Sequence, residues 1–259
     1  MNIVGIVPAR MASSRFPDKP MAGICGMPMI GHVYFRCKMS RLLNEVYVAT
    51  CDREIADYIT SIGGKAIMTM DTHERASDRC SEALLKIEEE NRAKADVVVM
   101  IQGDEPMIVP EMIDAAVEPM CSDPSIGIVN LTAPIKTRSD QDDPNTVKVV
   151  MDERQDALYF SREPIPSWKK GAKTVPMYKQ VSIMPFRREF LIKFAQLAPT
   201  PLEIVESVDM LRFLEHGYKV RMVICGHETY SVDTVSDLER VEKLMRNDEL
   251  YKRYAKRKA

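Results

Sequence analysis

Between Asp96 and Gln102 the chain runs Val97-Val98-Val99-Met100-Ile101, five apolar residues with no polar alternation. A strand with one wet face would alternate, so this run reads as the centre of a parallel sheet covered on both sides. It stops at Gln102-Gly103-Asp104-Glu105-Pro106, a turn-forming sequence that also places a carboxylate at the strand's end. A second apolar run, Ile3-Val4-Gly5-Ile6-Val7, empties into Pro8-Ala9-Arg10 and then Ser13-Ser14-Arg15-Phe16-Pro17-Asp18-Lys19-Pro20.

The rest of the pattern agrees with such a sheet. Strands are expected at 2–7, 45–50, 65–68, 96–101, 126–131 and 219–225. Helices are expected near 28–39, 52–62, 76–90, 110–119, 188–197, 202–216 and 235–248. Strand alternating with helix argues for an α/β fold with a mainly parallel central sheet flanked by helices. Residues 146–187 differ. Two strand patterns, 147–151 and 157–161, and a stretch rich in Pro, Lys and Gly at 164–176 predict a small antiparallel insertion beside the main sheet, with an exposed hairpin suited to dimerisation. A chain of 259 residues, 45% of them hydrophobic, is read as one domain spanning 1–259, with 144–187 as the β-rich insertion.

Composition excludes several classes. The formal net charge of −2 provides no general basic field for nucleic acid. No apolar stretch approaches the roughly 20 residues of a membrane span. Cys25, Cys37, Cys51, Cys80, Cys121 and Cys225 form no CxxC pair, and the N-terminus does not resemble a signal peptide, so reduced thiols and a cytoplasmic location are expected. Neither GxGxxG after the first strand nor GxxxxGK[ST] is found. His32, His73, His216 and His227 lack metal spacing, and no nucleophile elbow occurs. Gly23, Gly26 and Gly31 read as turn and helix-packing residues, and the basic run at 251–258 as a frayed helix end.

What remains is local chemistry. Arg10, Arg15 and Lys19 follow the first strand, where parallel sheets bind ligands, and form a site for a polyphosphate. Asp104 closes the central strand facing the same crevice, and a carboxylate beside a triphosphate implies Mg2+, which needs only one or two protein ligands. Asp233 is the natural second ligand, although Asp233-Thr234 precedes a helix and either residue could simply cap it.

Taken together, Val7-Pro8-Ala9-Arg10, Ser13 to Pro20, Gly26-Met27-Pro28-Met29-Ile30, Gln102 to Pro106, Pro144-Asn145 with Val147 to Val150, Ala157 to Arg162 and Val232-Asp233-Thr234 resemble the 3-deoxy-manno-octulosonate cytidylyltransferase (CMP-KDO synthetase) family. The resemblance runs nearly end to end. It implies a Rossmann-like nucleotidyltransferase fold, a homodimer, and Mg2+-dependent transfer of CMP from CTP to the anomeric hydroxyl of a 3-deoxy-2-keto sugar acid with release of pyrophosphate. It assigns Pro8, Ala9, Arg10, Ser14, Arg15, Lys19, Ser77 and Gln102 to the nucleotide. Catalysis falls to Arg10, Lys19, Asp104 and Asp233, the last two as metal ligands. Arg79, Gln102, Gln180, Met184, Glu206 and Asp209 are assigned to the acceptor.

There are departures. The family's His-x-Ser-Gly-Thr-Glu-Arg loop is His73-Glu74-Arg75-Ala76-Ser77-Asp78-Arg79 here. Its His-x-Gly-Ile-Tyr-Gly-Tyr-Arg is Gln180-Val181-Ser182-Ile183-Met184-Pro185-Phe186-Arg187, and Ile204 stands where a polar His is usual. A pocket lined by Gln180, Met184 and Ile204 pairs different groups from one lined by His and Tyr, so the acceptor is expected to be KDO or a variant of it, such as an amino-substituted octulosonate. The alternatives are another acidic acceptor, nonulosonate-like or a phosphonate, and a nucleotide-binding protein without turnover. Glu206 and Asp209, three apart in a helical pattern, are expected on one face, and Arg79 is expected either to hold the acceptor's carboxylate or to pair with a neighbouring acid.

Overall fold

A computed structural model describes residues 1–12, 16–167 and 176–255. In chain order, β1 (Ile3–Ala9) leads through a 3-10 turn (Lys19–Met21) to a hairpin of β2 (Gly23–Ile24) and β3 (Met27–Pro28), then α1 (Met29–Cys37), β4 (Glu45–Thr50), α2 (Arg53–Ser61), β5 (Lys65–Met68), α3 (Ala76–Asn91), β6 (Val97–Ile101) and α4 (Pro110–Ser122). The second half contains β7 (Val129–Pro134), α5 (Arg138–Asp142), β8 (Lys148–Met151), β9 (Ala157–Ser161), β10 (Tyr178–Gln180), β11 (Ile183–Arg187), α6 (Arg188–Gln196), α7 (Pro201–Glu206), α8 (Met210–Glu215), β12 (Arg221–Ile224), α9 (Val235–Met245) and α10 (Glu249–Ala255).

The central sheet has the order β11-β6-β1-β4-β5. Its pairings β6–β1, β1–β4 and β4–β5 are parallel, and β11 joins its edge antiparallel, Ile183 opposite Ile101. Alternation of side chains across the strands divides the core in two. Val97, Val99 and Ile101 pack with Val7 against Ile30 and Val33 of α1, Ile55 and Ile59 of α2, and Ile113 and Val117 of α4. Val98 and Met100 pack with Val4 and Ile6 against Cys80, Ala83, Leu84 and Ile87 of α3, Leu191 and Phe194 of α6, and Phe213 of α8. Both faces of β6 are therefore dry, as its composition demands, and Val97 through Ile101 are fully buried.

Residues 146–187 divide between two sheets. A second sheet, β12-β7-β10-β8-β9, takes β8, β9 and β10 together with β7 and β12, which pair parallel, whereas β11 belongs to the central sheet. A bridge between Ile128 and Phe186 links the two sheets. The expected helix 202–216 is broken, because Ser207 adopts the left-handed conformation (φ 52°) and separates α7 from α8. Gly26 forms the turn of the β2–β3 hairpin at φ 77°, and Gly31 lets α1 approach α2 so closely that a Cβ there would lie 2.3 Å from the Tyr58 hydroxyl.

The C-terminal segment is docked, not frayed, through Ala255. Tyr254 is fully buried beside α1, its ring stacked on Phe35 and its hydroxyl 2.8 Å from His32 Nδ1, while Arg36 Nε donates to that hydroxyl at 3.1 Å. No described helix is long and apolar enough to cross a membrane.

Candidate active site

β1 and β6 are neighbours and end side by side, which brings Pro8-Ala9-Arg10 next to Gln102-Gly103-Asp104-Glu105. Gly103 permits this approach: a Cβ there would meet Ile30 Cδ1 at 3.1 Å and the Pro8 carbonyl oxygen at 3.4 Å. Between the carboxyl ends of these strands and the second sheet lies a cavity of about 910 Å³, the size and place at which open α/β sheets bind ligands.

Lys19 is aimed into this crevice by its short 3-10 turn. Its Nζ donates to the Val232 carbonyl at 2.9 Å and lies 3.3 Å from Asp104 Oδ2 and 3.4 Å from Asp233 Oδ1. The Val232 N–H in turn donates to the Asp104 carbonyl at 2.9 Å, so the segment before α9 is fastened to the end of β6. Thr234 caps α9 through a reciprocal pair with Asp237, which leaves the Asp233 carboxylate to face Lys19. Two carboxylates thus converge on one cation.

Asp104 Oδ1 and Glu105 Oε2 are buried without hydrogen-bond partners. Burial, and then the Asp104 charge, push the Glu105 carboxyl up to about 7. A buried carboxylate oxygen without a partner beside a converging carboxylate pair is costly unless a cation or a donor meets it. This donor set of oxygens from Asp104 and Asp233 fits a hard, partly hydrated divalent cation.

The other expected site residues separate into two groups. Pro8, Ala9, Arg10, Gln102, Arg79, Gln180, Met184 and Asp209 line the same cavity as Lys19, Asp104 and Asp233. Arg10 Nη1 donates to the His73 carbonyl at 3.4 Å. Ser14 and Arg15 lie outside the described residues.

Ser77 and Glu206 are elsewhere. Ser77 is fully buried, does not line the cavity, and donates its hydroxyl to Asp209 Oδ2 at 2.5 Å. Its place as a direct nucleotide contact is therefore corrected: it anchors Asp209. Glu206 also lies off the cavity, accepting from the Arg162 N–H (2.7 Å), the Ser161 hydroxyl (2.9 Å) and the Tyr159 hydroxyl (3.2 Å), so it fixes the end of β9. The break at Ser207 is the reason Glu206 and Asp209 do not share a helical face. Ile204 is 61% exposed and leaves the pocket for the same local reason: α7 turns Glu203 inward to a bidentate pair with Arg212 (2.6 and 2.7 Å), and its neighbour must point out. Arg79 reaches the cavity wall but is 2% exposed, with its guanidinium donating to Thr69 Oγ1 (2.5 Å) and to the Met70 (3.2 Å) and His73 (3.5 Å) carbonyls. It holds the 69–73 loop in place. Among the described residues its guanidinium meets these three oxygens and no carboxylate, while the residue lines the cavity.

Several residues that form or support the wall had no role read from the sequence. Arg75 holds Asp209 (3.4 Å) and Ser207 (3.2 Å), while burial pushes the Asp209 carboxyl up. Lys148, fully buried, donates to the Asp143, Thr146 and Arg162 carbonyls, clipping the 143–146 turn against the cavity. Lys136 pairs with Glu228 at 2.5 Å across the rim. Lys148 lies in the Val147 to Val150 run and Arg75 in the His73 to Arg79 loop, both read from the sequence without a role for these two residues, and Lys136 had no signal.

Comparison with known proteins agrees with this site. The family described as Cytidylyltransferase matches residues 4–222. The 3-deoxy-manno-octulosonate cytidylyltransferase of Geobacter metallireducens is 44% identical over 257 residues, covering 95% of this chain and 99% of that protein. That of Geobacter sulfurreducens is 43% identical, covering 94% and 100%. Among solved structures, a CMP:2-keto-3-deoxy-manno-octonic acid synthetase complexed with CTP superimposes with a TM-score of 0.88 at 39% identity, covering 95% of this chain and 99% of that one. With its cavity at the strand ends and its carboxylate pair around Lys19, the chain belongs to the cytidylyltransferase family, alongside the 3-deoxy-manno-octulosonate cytidylyltransferases, and is a nucleotidyltransferase enzyme.

Proposed function

We propose that the protein transfers CMP from CTP to the anomeric hydroxyl of 3-deoxy-manno-octulosonate or a close relative of it, releasing pyrophosphate. The observation that carries this reading is Lys19 held between Asp104 and Asp233 at the mouth of β1 and β6. Displacement at the α-phosphorus develops charge on the non-bridging oxygens and on the leaving pyrophosphate, and fixed cations stabilise it without reorganising. Lys19 and Arg10 meet the triphosphate, and the Pro8-Ala9 turn supports it. Gln102 lines the same space, its backbone N–H anchored on the Ser182 carbonyl at 3.0 Å.

Asp104 and Asp233 are the residues to hold Mg2+. When bound, the ion neutralises phosphate charge and makes the acceptor hydroxyl a better nucleophile. Gln180, Met184 and Asp209 form the acceptor side of the cavity, with the carboxylate of the sugar acid directed towards the cationic wall. A homodimer belongs to the same reading, supported by β9 lying at the edge of the second sheet with Leu158 62% exposed. So does a cytoplasmic setting, supported by six free cysteines.

The test is pyrophosphate release from each common nucleoside triphosphate with Mg2+, against a panel of 3-deoxy sugar acids and phosphonates. Release with CTP and an octulosonate supports the reading. Release with a phosphonate in its place overturns the acceptor, and tight CTP binding with no release for any acceptor overturns the transferase.

A further inference from the structure

Asn130 lies on β7 beneath the acceptor side of the cavity and is fully buried. Its Nδ2 donates to the Leu131 carbonyl at 2.8 Å and the Val181 carbonyl at 2.9 Å. Two carbonyl oxygens require a donor opposite them, so the orientation of the Asn130 amide is fixed by the backbone and its Oδ1 must face the other way. There it accepts from Gln180 Nε2 at 2.6 Å, and the same Nε2 is 3.9 Å from the Met184 sulfur. One amide proton of Gln180 is thereby committed to Asn130, and the amide nitrogen is turned towards Asn130 and the Met184 sulfur.

We propose that Asn130 is a positioning residue that locks the Gln180 carboxamide in one orientation, presenting Oε1 to the cavity, so that the acceptor site selects a sugar acid whose group at that point donates a hydrogen bond. The inference rests on the proposed transferase function. An unlocked glutamine amide could turn over and offer either an acceptor or a pair of donors, and would discriminate poorly. A locked one offers only a lone pair. The buried Met184, 2% exposed, presents only a weak acceptor on the remaining side, and among the described residues no hydrogen bond reaches Gln180 Oε1. A substrate group lacking a proton leaves Oε1 desolvated and unpaired, the situation in which binding sites reject analogues most strongly.

The experiment uses the full chain with CTP, Mg2+ and 3-deoxy-manno-octulosonate, then its monodeoxyfluoro analogues, in which fluorine keeps the size of one hydroxyl and removes its proton. The wild type is expected to show an acceptor KM about tenfold higher for one of these analogues, the cost of one unmatched buried polar group, with the KM for CTP unchanged. Gln180→Leu should raise the acceptor KM by a similar factor and lose the discrimination. Asn130→Leu should do the same through Gln180, so the double variant should be no worse than Gln180→Leu alone.

Equal KM values for every fluoro analogue with the wild type overturn the inference, whether or not Asn130→Leu folds. So do additive losses in the double variant, or a parallel rise in the KM for CTP. No turnover of the wild type with octulosonate or with any other acceptor of the panel overturns the proposed function, which separates the two failures.

Discussion

Replacing Lys19 with methionine removes a cation but keeps the length and most of the packing of its side chain, and it should move two measurements in opposite directions. The ammonium lies 3.3 Å and 3.4 Å from the Asp104 and Asp233 carboxylates, with side-chain exposures of 15%, 23% and 23%. At an effective dielectric constant of about 20, Coulomb's law gives about 5 kcal/mol for each such pair. Hydration and screening cancel most of this, and measured pairs with partial exposure retain about 1 kcal/mol or less. The two carboxylates, relieved of a competing ammonium, should therefore bind Mn2+ about fivefold more tightly in the absence of nucleotide, since about 1.4 kcal/mol is tenfold. Turnover should fall about 100- to 1,000-fold, because the lost charge is one aimed at the developing negative charge of the triphosphate. Titration calorimetry with Mn2+ and steady-state pyrophosphate release read the two effects. Weaker Mn2+ binding, or kcat/KM within threefold or so of wild type by the same yardstick, would refute the placement of Lys19 between a metal pair and a nucleotide.

Asp104→Asn should abolish Mg2+-dependent turnover with little loss of fold, since it keeps the shape of a residue whose Oδ1 has no protein partner; near-normal kinetics would remove it from the metal site. Gly31→Ala should destabilise by about 1–3 kcal/mol through overpacking against the Tyr58 hydroxyl, and Tyr58→Phe in the same chain should recover much of it, as urea unfolding will show. Burial works against ionisation of Glu82, yet Lys86, the Met70 N–H and His73 hold its carboxyl down to about 2. Because that folded value lies below the unfolded one, its stabilisation is complete above about pH 4.5 and is lost as pH falls towards 2. Glu82→Gln should flatten the melting temperature across that window, and an unchanged slope would assign the acid sensitivity to other carboxyls.

The meeting of the β1 and β6 ends at the cavity was legible because it is written locally. An apolar run followed at once by Pro8-Ala9-Arg10, and another by Gln102-Gly103-Asp104, places residues at strand ends whatever the rest of the chain does. The opposite wall of the cavity was less legible for three physical reasons. Strand partnership is non-local: nothing in Ile183–Arg187 announces that it joins β6, or in Arg221–Ile224 that it pairs with β7. Helix breaks turn faces, and the single left-handed residue Ser207 sends Glu206 to β9, Asp209 to the cavity and Ile204 to solvent. Side-chain donors are finite, so Arg79 and Ser77, correct in type for ligand contact, are occupied by Thr69 and Asp209. The same finiteness makes Asn130 important, and no pattern in β7 distinguished it from an ordinary strand residue.

The most direct test of the account is to follow CTP, 3-deoxy-manno-octulosonate and Mg2+ with the protein by phosphorus NMR. The account predicts a CMP phosphodiester to the sugar and pyrophosphate growing in equal amounts, and neither with Asp104→Asn. Phosphate release with CDP, or CTP left intact beside a folded, CTP-binding protein, would contradict it.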